Sequence, residues 1–155
     1  MKTSIDKVVA VLLIILMGLM VLNVTWQVSS RYIFQNPSAF TDELSRYMLI
    51  WLGMLGAAYV AGQGKHLAID LLLSKMSAPN QLKLQMIICA LVMIFALVTM
   101  VYGGANLVYI TYTLSQKSAT LQVPLAYVYA IIPLSGLLTV YYQLEAIFQR
   151  IKLIK

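Results

Sequence analysis

The chain has 155 residues, of which 61% are hydrophobic and only 10% charged, with a mean hydropathy of +0.85. A soluble domain carries roughly 25% charged residues, so this chain lacks the polar surface to stand in water and reads as a membrane protein. Its net charge of +6 is spread along the chain, with no basic cluster or aromatic-interleaved basic face. That pattern excludes a nucleic-acid partner and fits helix ends that meet anionic membrane lipids.

Four long stretches carry no charge: 8–30, 47–64, 84–116 and 118–144. A spanning helix takes about 17–25 mostly apolar residues. A transmembrane barrel would instead alternate in segments of about ten residues, and these stretches are apolar on every side. The expected fold is an all-α membrane protein, a single four-span domain over 1–155. Its spans lie near 8–29, 45–64, 85–108 and 123–144, and a short interfacial amphipathic helix lies near 65–77.

In chain order, Lys2 and Lys7 precede the first apolar stretch in the manner of a secretory leader. A leader's apolar region is typically about 7–15 residues and ends in a small-residue cleavage site. Residues 8–28 are longer, and Val28-Ser29-Ser30-Arg31 matches such a site poorly, so a retained first span is expected. Asn23, Thr25, Trp26 and Gln27 lie in its outer half, and Trp26 and Tyr32 suit a membrane interface. Arg31 either stretches its stem along the helix toward the head groups, pairs with Asp42 or Glu43, or contacts a partner or a substrate; the residues leave these open.

Asn36-Pro37-Ser38 breaks the chain, because proline disfavours helix at the residue before it. A helix restarts with Asp42 and Glu43 in its first turns, where carboxylates suit the positive dipole end. Arg46 stands four residues after Asp42 and three after Glu43, so the three share a face. Mutual neutralisation there lets the helix sink toward lipid. The second span carries Gly53, Ala57 and Ala61 at intervals of four, with Gly56 beside them, a row that allows close approach by another helix. Packing within the subunit is the expected use, with packing against a partner the alternative.

Residues 65–77 place Leu67, Ile69, Leu71, Leu72, Leu73 and Met76 against Lys65, His66, Asp70 and Lys75, too short and too charged to span and suited to the interface. His66 and Asp70 can hydrogen-bond but do not reach the three or four ligands that a metal site wants. The third neutral stretch has 33 residues, about 50 Å as a helix, so it is expected to project beyond the bilayer or end near Gly103-Gly104. Tyr102, Tyr109 and Tyr112 fall on one side of it as an aromatic belt. The single Cys89 excludes an internal disulfide and reads as a small core residue. Span four begins after Pro124, and Pro133 near its middle predicts a kink.

Four spans put both termini on one side, together with Lys2, Lys7, Lys65, Lys75, Lys83, Arg150, Lys152 and Lys155. The other side holds Arg31, Arg46 and Lys117. Basic loops stay inside, so both termini are expected to be cytoplasmic, with 30–45 and about 109–122 facing out. No span carries a charge near its centre, as a transport pathway would require. One histidine cannot supply an axial haem pair, and no phosphate loop, cysteine cluster or nucleophile–base pairing appears. The chain is expected to be no enzyme, with no catalytic residue, metal or cofactor.

Arg31-Tyr32, Pro37, Asp42-Glu43-Leu44-x-Arg46, Gly56-Ala57, Gly64-x-His66-x-x-Ile69-Asp70, Val123-Pro124 and Ile132-Pro133 form an ordered set over most of the chain. In this the chain resembles the small membrane subunit, of DctQ type, of a tripartite ATP-independent periplasmic (TRAP) transporter. One departure is Phe40, where the family often has tryptophan. The resemblance implies a bacterial inner-membrane importer of organic acids, such as dicarboxylates or sialic and sugar acids, driven by an ion gradient. It implies a large multi-span permease subunit and a periplasmic substrate-binding protein as partners, with no substrate bound by this subunit. Its role would be to brace the large subunit and help dock the binding protein. Arg31, Asp42, Glu43, Arg46, His66 and Asp70 are then the structural or partner-contact candidates, and Gly53, Gly56, Ala57 and Ala61 the helix-packing ones. Two rivals are a self-sufficient small four-span exporter, which needs a carboxylate in the first span where 8–30 has none, and a non-transporting membrane assembly factor.

Overall fold

The computed structural model describes residues 2–36, 38–63 and 78–154. Among them the helices are α1 (Lys2–Tyr32), α2 (Ala39–Gln63), α3 (Ala78–Phe95), a π-helical stretch (Ala96–Gly103), α4 (Gly104–Thr113), α5 (Leu125–Tyr129) and α6 (Ile131–Ile154). No strand occurs among the described residues, only an isolated bridge between Lys117 and Pro124. Four stretches are long and apolar enough to cross a membrane: Ser4–Tyr32, Ala39–Gln63, Leu84–Thr113 and Leu125–Arg150. The interfacial helix expected over 65–77, with His66 and Asp70, and the break at Pro37 lie outside the described residues.

The first helix outruns its apolar stretch at both ends. The 31 residues of α1 make a helix of about 46 Å, against a hydrocarbon core of about 30 Å, so its polar ends extend beyond lipid. The third span does not stop at Gly103-Gly104 but runs on to Thr113, widening into π winding before the glycines. An unpaired backbone group in lipid costs several kcal/mol, which favours a widened ladder over a broken one. The Gly104 N–H reaches both the Met100 and Val101 carbonyls at the exit. In the fourth span the regular helix is interrupted at Ala130, three residues before Pro133, whose ring crowds the carbonyl four residues earlier.

The chain forms two compact units, Met1–Gly56 with Asn106–Ile131, and Ala57–Ala105 with Ile132–Lys155. In the first, α1 lies against the head of α2. A Cβ at Gly56 would meet only the Leu13 side chain, at 4.0 Å. The Trp51 indole N–H donates to the Val128 carbonyl at 3.1 Å, tying α2 to the turn before the Ala130 interruption.

The second unit is packed through glycines. A Cβ at Gly62 would lie 2.7 Å from the ring of the buried Tyr142, and one at Gly104 would lie 2.8 Å from Ile132 Cγ2 and 3.0 Å from Pro133 Cδ. Small residues that let backbones approach are the usual basis of helix association in lipid. Ser135 and Thr139, both buried, turn their hydroxyls back to the Ile132 and Ser135 carbonyls. Cys89 is free and buried, as expected of a core residue, and the Arg150 guanidinium reaches its sulfur at 2.7 Å and Gln85 Oε1 at 3.1 Å.

Candidate functional site

The polar structure of the first unit gathers at the head of α2, where adjacent carboxylates turn to different neighbours. Asp42 accepts from Gln27 Nε2 on α1 at 2.7 Å and from the Arg46 guanidinium, one turn on, at 2.7 Å. Below it, Asn23 Nδ2 donates to the Thr41 carbonyl at 2.8 Å and to Ser45 Oγ at 2.7 Å. The Ser45 hydroxyl lies 2.8 Å from the Thr41 carbonyl and 3.2 Å from Gln27 Oε1, and its one proton serves one of the two. A continuous polar seam therefore joins α1 to α2 along Asn23, Ser45, Gln27 and Asp42. Such bonds between membrane helices average about 0.6 kcal/mol each.

Glu43 turns the other way, to the connection between α4 and α5. Its Oε1 accepts from the Tyr47 hydroxyl at 2.8 Å and the Ala119 N–H at 3.1 Å. Its Oε2 accepts from the Thr120 and Leu121 N–H groups, each at 2.9 Å. Three successive backbone donors and a phenol thus converge on one carboxylate, as backbone nests do on a bound anion. The two connections that the sequence pattern puts on one side of the membrane are both tied to the first turns of α2.

The connection 114–124 is closely built. Ser115, at φ 50°, ends α4 in a Schellman arrangement, with Gln116 N–H on the Thr111 carbonyl and Ser115 N–H on the Tyr112 carbonyl. Ser118 N–H then bonds the Val123 carbonyl and Leu125 N–H bonds the Gln116 carbonyl, both at 2.9 Å. Gln122, at φ 55°, is held by its own side chain on the Ala119 carbonyl. Around it Tyr112, Leu114 and Tyr127 are exposed, and Lys117 is exposed on the bridge. On the other connection Tyr32, Ile33 and Phe34 are exposed, with the Phe34 ring 6.1 Å from that of Trp26.

Arg31 does not pair with either carboxylate. It is exposed in the last turn of α1, where a cation suits the negative dipole end, and both carboxylates have other partners. Gly53 and Ala57 are exposed, and a Cβ at Gly53 would meet nothing within 4 Å. Ala61 is half-buried. Within this chain, then, the exposed part of the small-residue row contacts no helix at Gly53. The sequence pattern did not single out Ser45, Tyr47 or the 119–121 amides. The i, i+4 pairs Asn23/Gln27 and Thr41/Ser45 were a signal for the polar seam, whereas backbone donors carry no residue signature.

A chain with four helices long and apolar enough to span a membrane, free of charge along the middle of every span, is in class an integral-membrane protein. Residues 20–153 match the family described as tripartite ATP-independent periplasmic transporters, DctQ component, and the chain belongs to that family. Over 158 aligned residues it is 27% identical to the sialic acid TRAP transporter small permease protein SiaQ of Vibrio cholerae, covering 99% of this chain and 87% of that protein. It is 32% identical over 111 residues to the C4-dicarboxylate TRAP transporter small permease protein DctQ of Rhodobacter capsulatus, covering 70% of this chain and 48% of that relative.

Proposed function

We propose that this chain braces the large permease subunit of a TRAP transporter and helps to dock its periplasmic substrate-binding protein, in ion-gradient-driven uptake of an organic acid. The termini lie in the cytoplasm and the connections 33–38 and 114–124 face the periplasm, in accord with the 8-to-3 division of basic residues. The carrying observation is the exposure of the spans. In each of the first three, no more than 11% of the most apolar window is buried, leaving long apolar faces for lipid and a larger membrane partner. The exposed Gly53 and Ala57 offer that partner a place of close approach. Sialic acids and C4-dicarboxylates, named for the relatives, support carboxylated metabolites as the substrate class, and the choice among them belongs to the partners. A self-sufficient exporter is disfavoured by the lack of any carboxylate between residues 8 and 30.

The test is a double variant, Asp42→Asn with Glu43→Gln, in cells expressing all three components. The yield of the membrane complex is expected to fall, while the relative uptake of competing organic acids stays the same. Unchanged complex yield with altered selectivity defeats the reading.

A further inference from the structure

We propose that Glu43 is the positioning residue of the connection 114–124. Its carboxylate is the template on which that segment takes its shape, so the surface shown to a soluble partner is set from α2 before the partner arrives. This deepens the docking role proposed above and rests on it. The segment Leu114-Ser115-Gln116-Lys117-Ser118-Ala119-Thr120-Leu121-Gln122-Val123-Pro124 contains no glycine, asparagine or aspartate, the residues that turns recruit for positive φ. Yet Ser115 and Gln122 both take positive φ, at a conformational cost. The Schellman bonds at Ser115 and the Gln122 side chain on the Ala119 carbonyl offset part of that cost from within the segment, and Glu43 adds the only side chain from another element bonded to the amides of 119–121 among the described residues.

The neighbouring Asp42 accepts from Gln27 and Arg46 instead of from this segment. The two adjacent carboxylates therefore divide the work: Asp42 joins α1 to α2, and Glu43 shapes 114–124. That shape fixes the backbone on both sides of Lys117, through the Leu125 N–H on the Gln116 carbonyl and the Ser118 N–H on the Val123 carbonyl. Lys117, the one charge between residues 84 and 144, is thereby held at a defined place on an exposed surface.

The experiment is amide hydrogen exchange on the purified membrane complex, with wild type, Glu43→Gln and Asp42→Asn side by side. Binding of the soluble component to the same preparations is measured in parallel. In Glu43→Gln the amides of 118–121 are expected to exchange about tenfold faster or more, the scale of losing one charge-assisted hydrogen bond. In Asp42→Asn they should stay within about twofold of wild type, while the helix-end amides of α1 respond. Equal exchange at 118–121 in Glu43→Gln and wild type overturns the proposal, whatever happens to binding. Faster exchange with unchanged binding upholds the positioning role and removes the docking role instead. If Glu43→Gln fails to assemble, Tyr47→Phe removes one ligand of the same carboxylate. It should speed those amides about twofold to fivefold, and unchanged exchange there also overturns the proposal.

Discussion

A methyl group added at Gly136 would stand 2.7 Å from Met100 Cβ, 3.0 Å from Val101 Cγ2 and 3.2 Å from the Val101 nitrogen. Two of these three atoms are backbone or directly attached to it, so turning a side chain cannot relieve the clash, and the π-helical stretch must move. Overpacking of this kind costs about 1–3 kcal/mol. Alanine also gains up to about 1 kcal/mol over glycine in a helix, which would mask part of the loss in Gly136→Ala alone. Gly53→Ala supplies the correction, because the methyl there meets nothing within 4 Å and only the propensity gain remains. The difference between the two variants isolates the packing effect and is expected to be about 1–3 kcal/mol, with Gly136→Ala the less stable. Unfolding of the detergent-solubilised chain against increasing mole fraction of dodecyl sulfate measures it. Equal midpoints for the two variants would refute the close seam between the π-helical stretch and α6.

In the same assay Asn23→Leu removes two bonds of the polar seam and should cost about 1 kcal/mol, at about 0.6 kcal/mol per bond; an unchanged midpoint would show that the seam is neutral. Trp51→Phe keeps the apolar bulk but deletes the N–H on Val128, with an expected loss of about 1 kcal/mol by the same measurement. Gly53→Leu should leave the stability of the isolated chain nearly untouched and lower recovery of the membrane complex, read by size-exclusion chromatography. Equal recovery would show that this face is lipid-facing only.

The four spans were legible because charge-free runs of this length have few alternatives, and a long apolar helical stretch lies over most of each run. The interruption before Pro133 was legible as well, since the missing N–H and the crowding of residue 129 are local effects. The third span was legible in part: its length left projection beyond the bilayer or an end near Gly103-Gly104, and the helix runs on to Thr113. The π winding before the glycines was not legible, because it arises where the backbone stays paired in lipid. At the head of α2, the shared face of Asp42 and Arg46 followed from spacing of four. Glu43 sits on that face by spacing too, yet its partners are amides 76 to 78 positions later. Those donors exist at nearly every residue and leave no mark in the sequence. Arg31 shows the opposite case, in which opposite charges close in sequence stayed apart because each carboxylate had better-placed donors.

We propose above that this chain works as a bracing subunit of a larger membrane complex. The most direct test is a tagged purification in mild detergent from the native host, with mass spectrometry of whatever accompanies the chain and quantitation of its ratio. A large multi-span permease is expected at stoichiometric yield. Recovery of the chain alone, or only as a homodimer, under equally gentle extraction would contradict it.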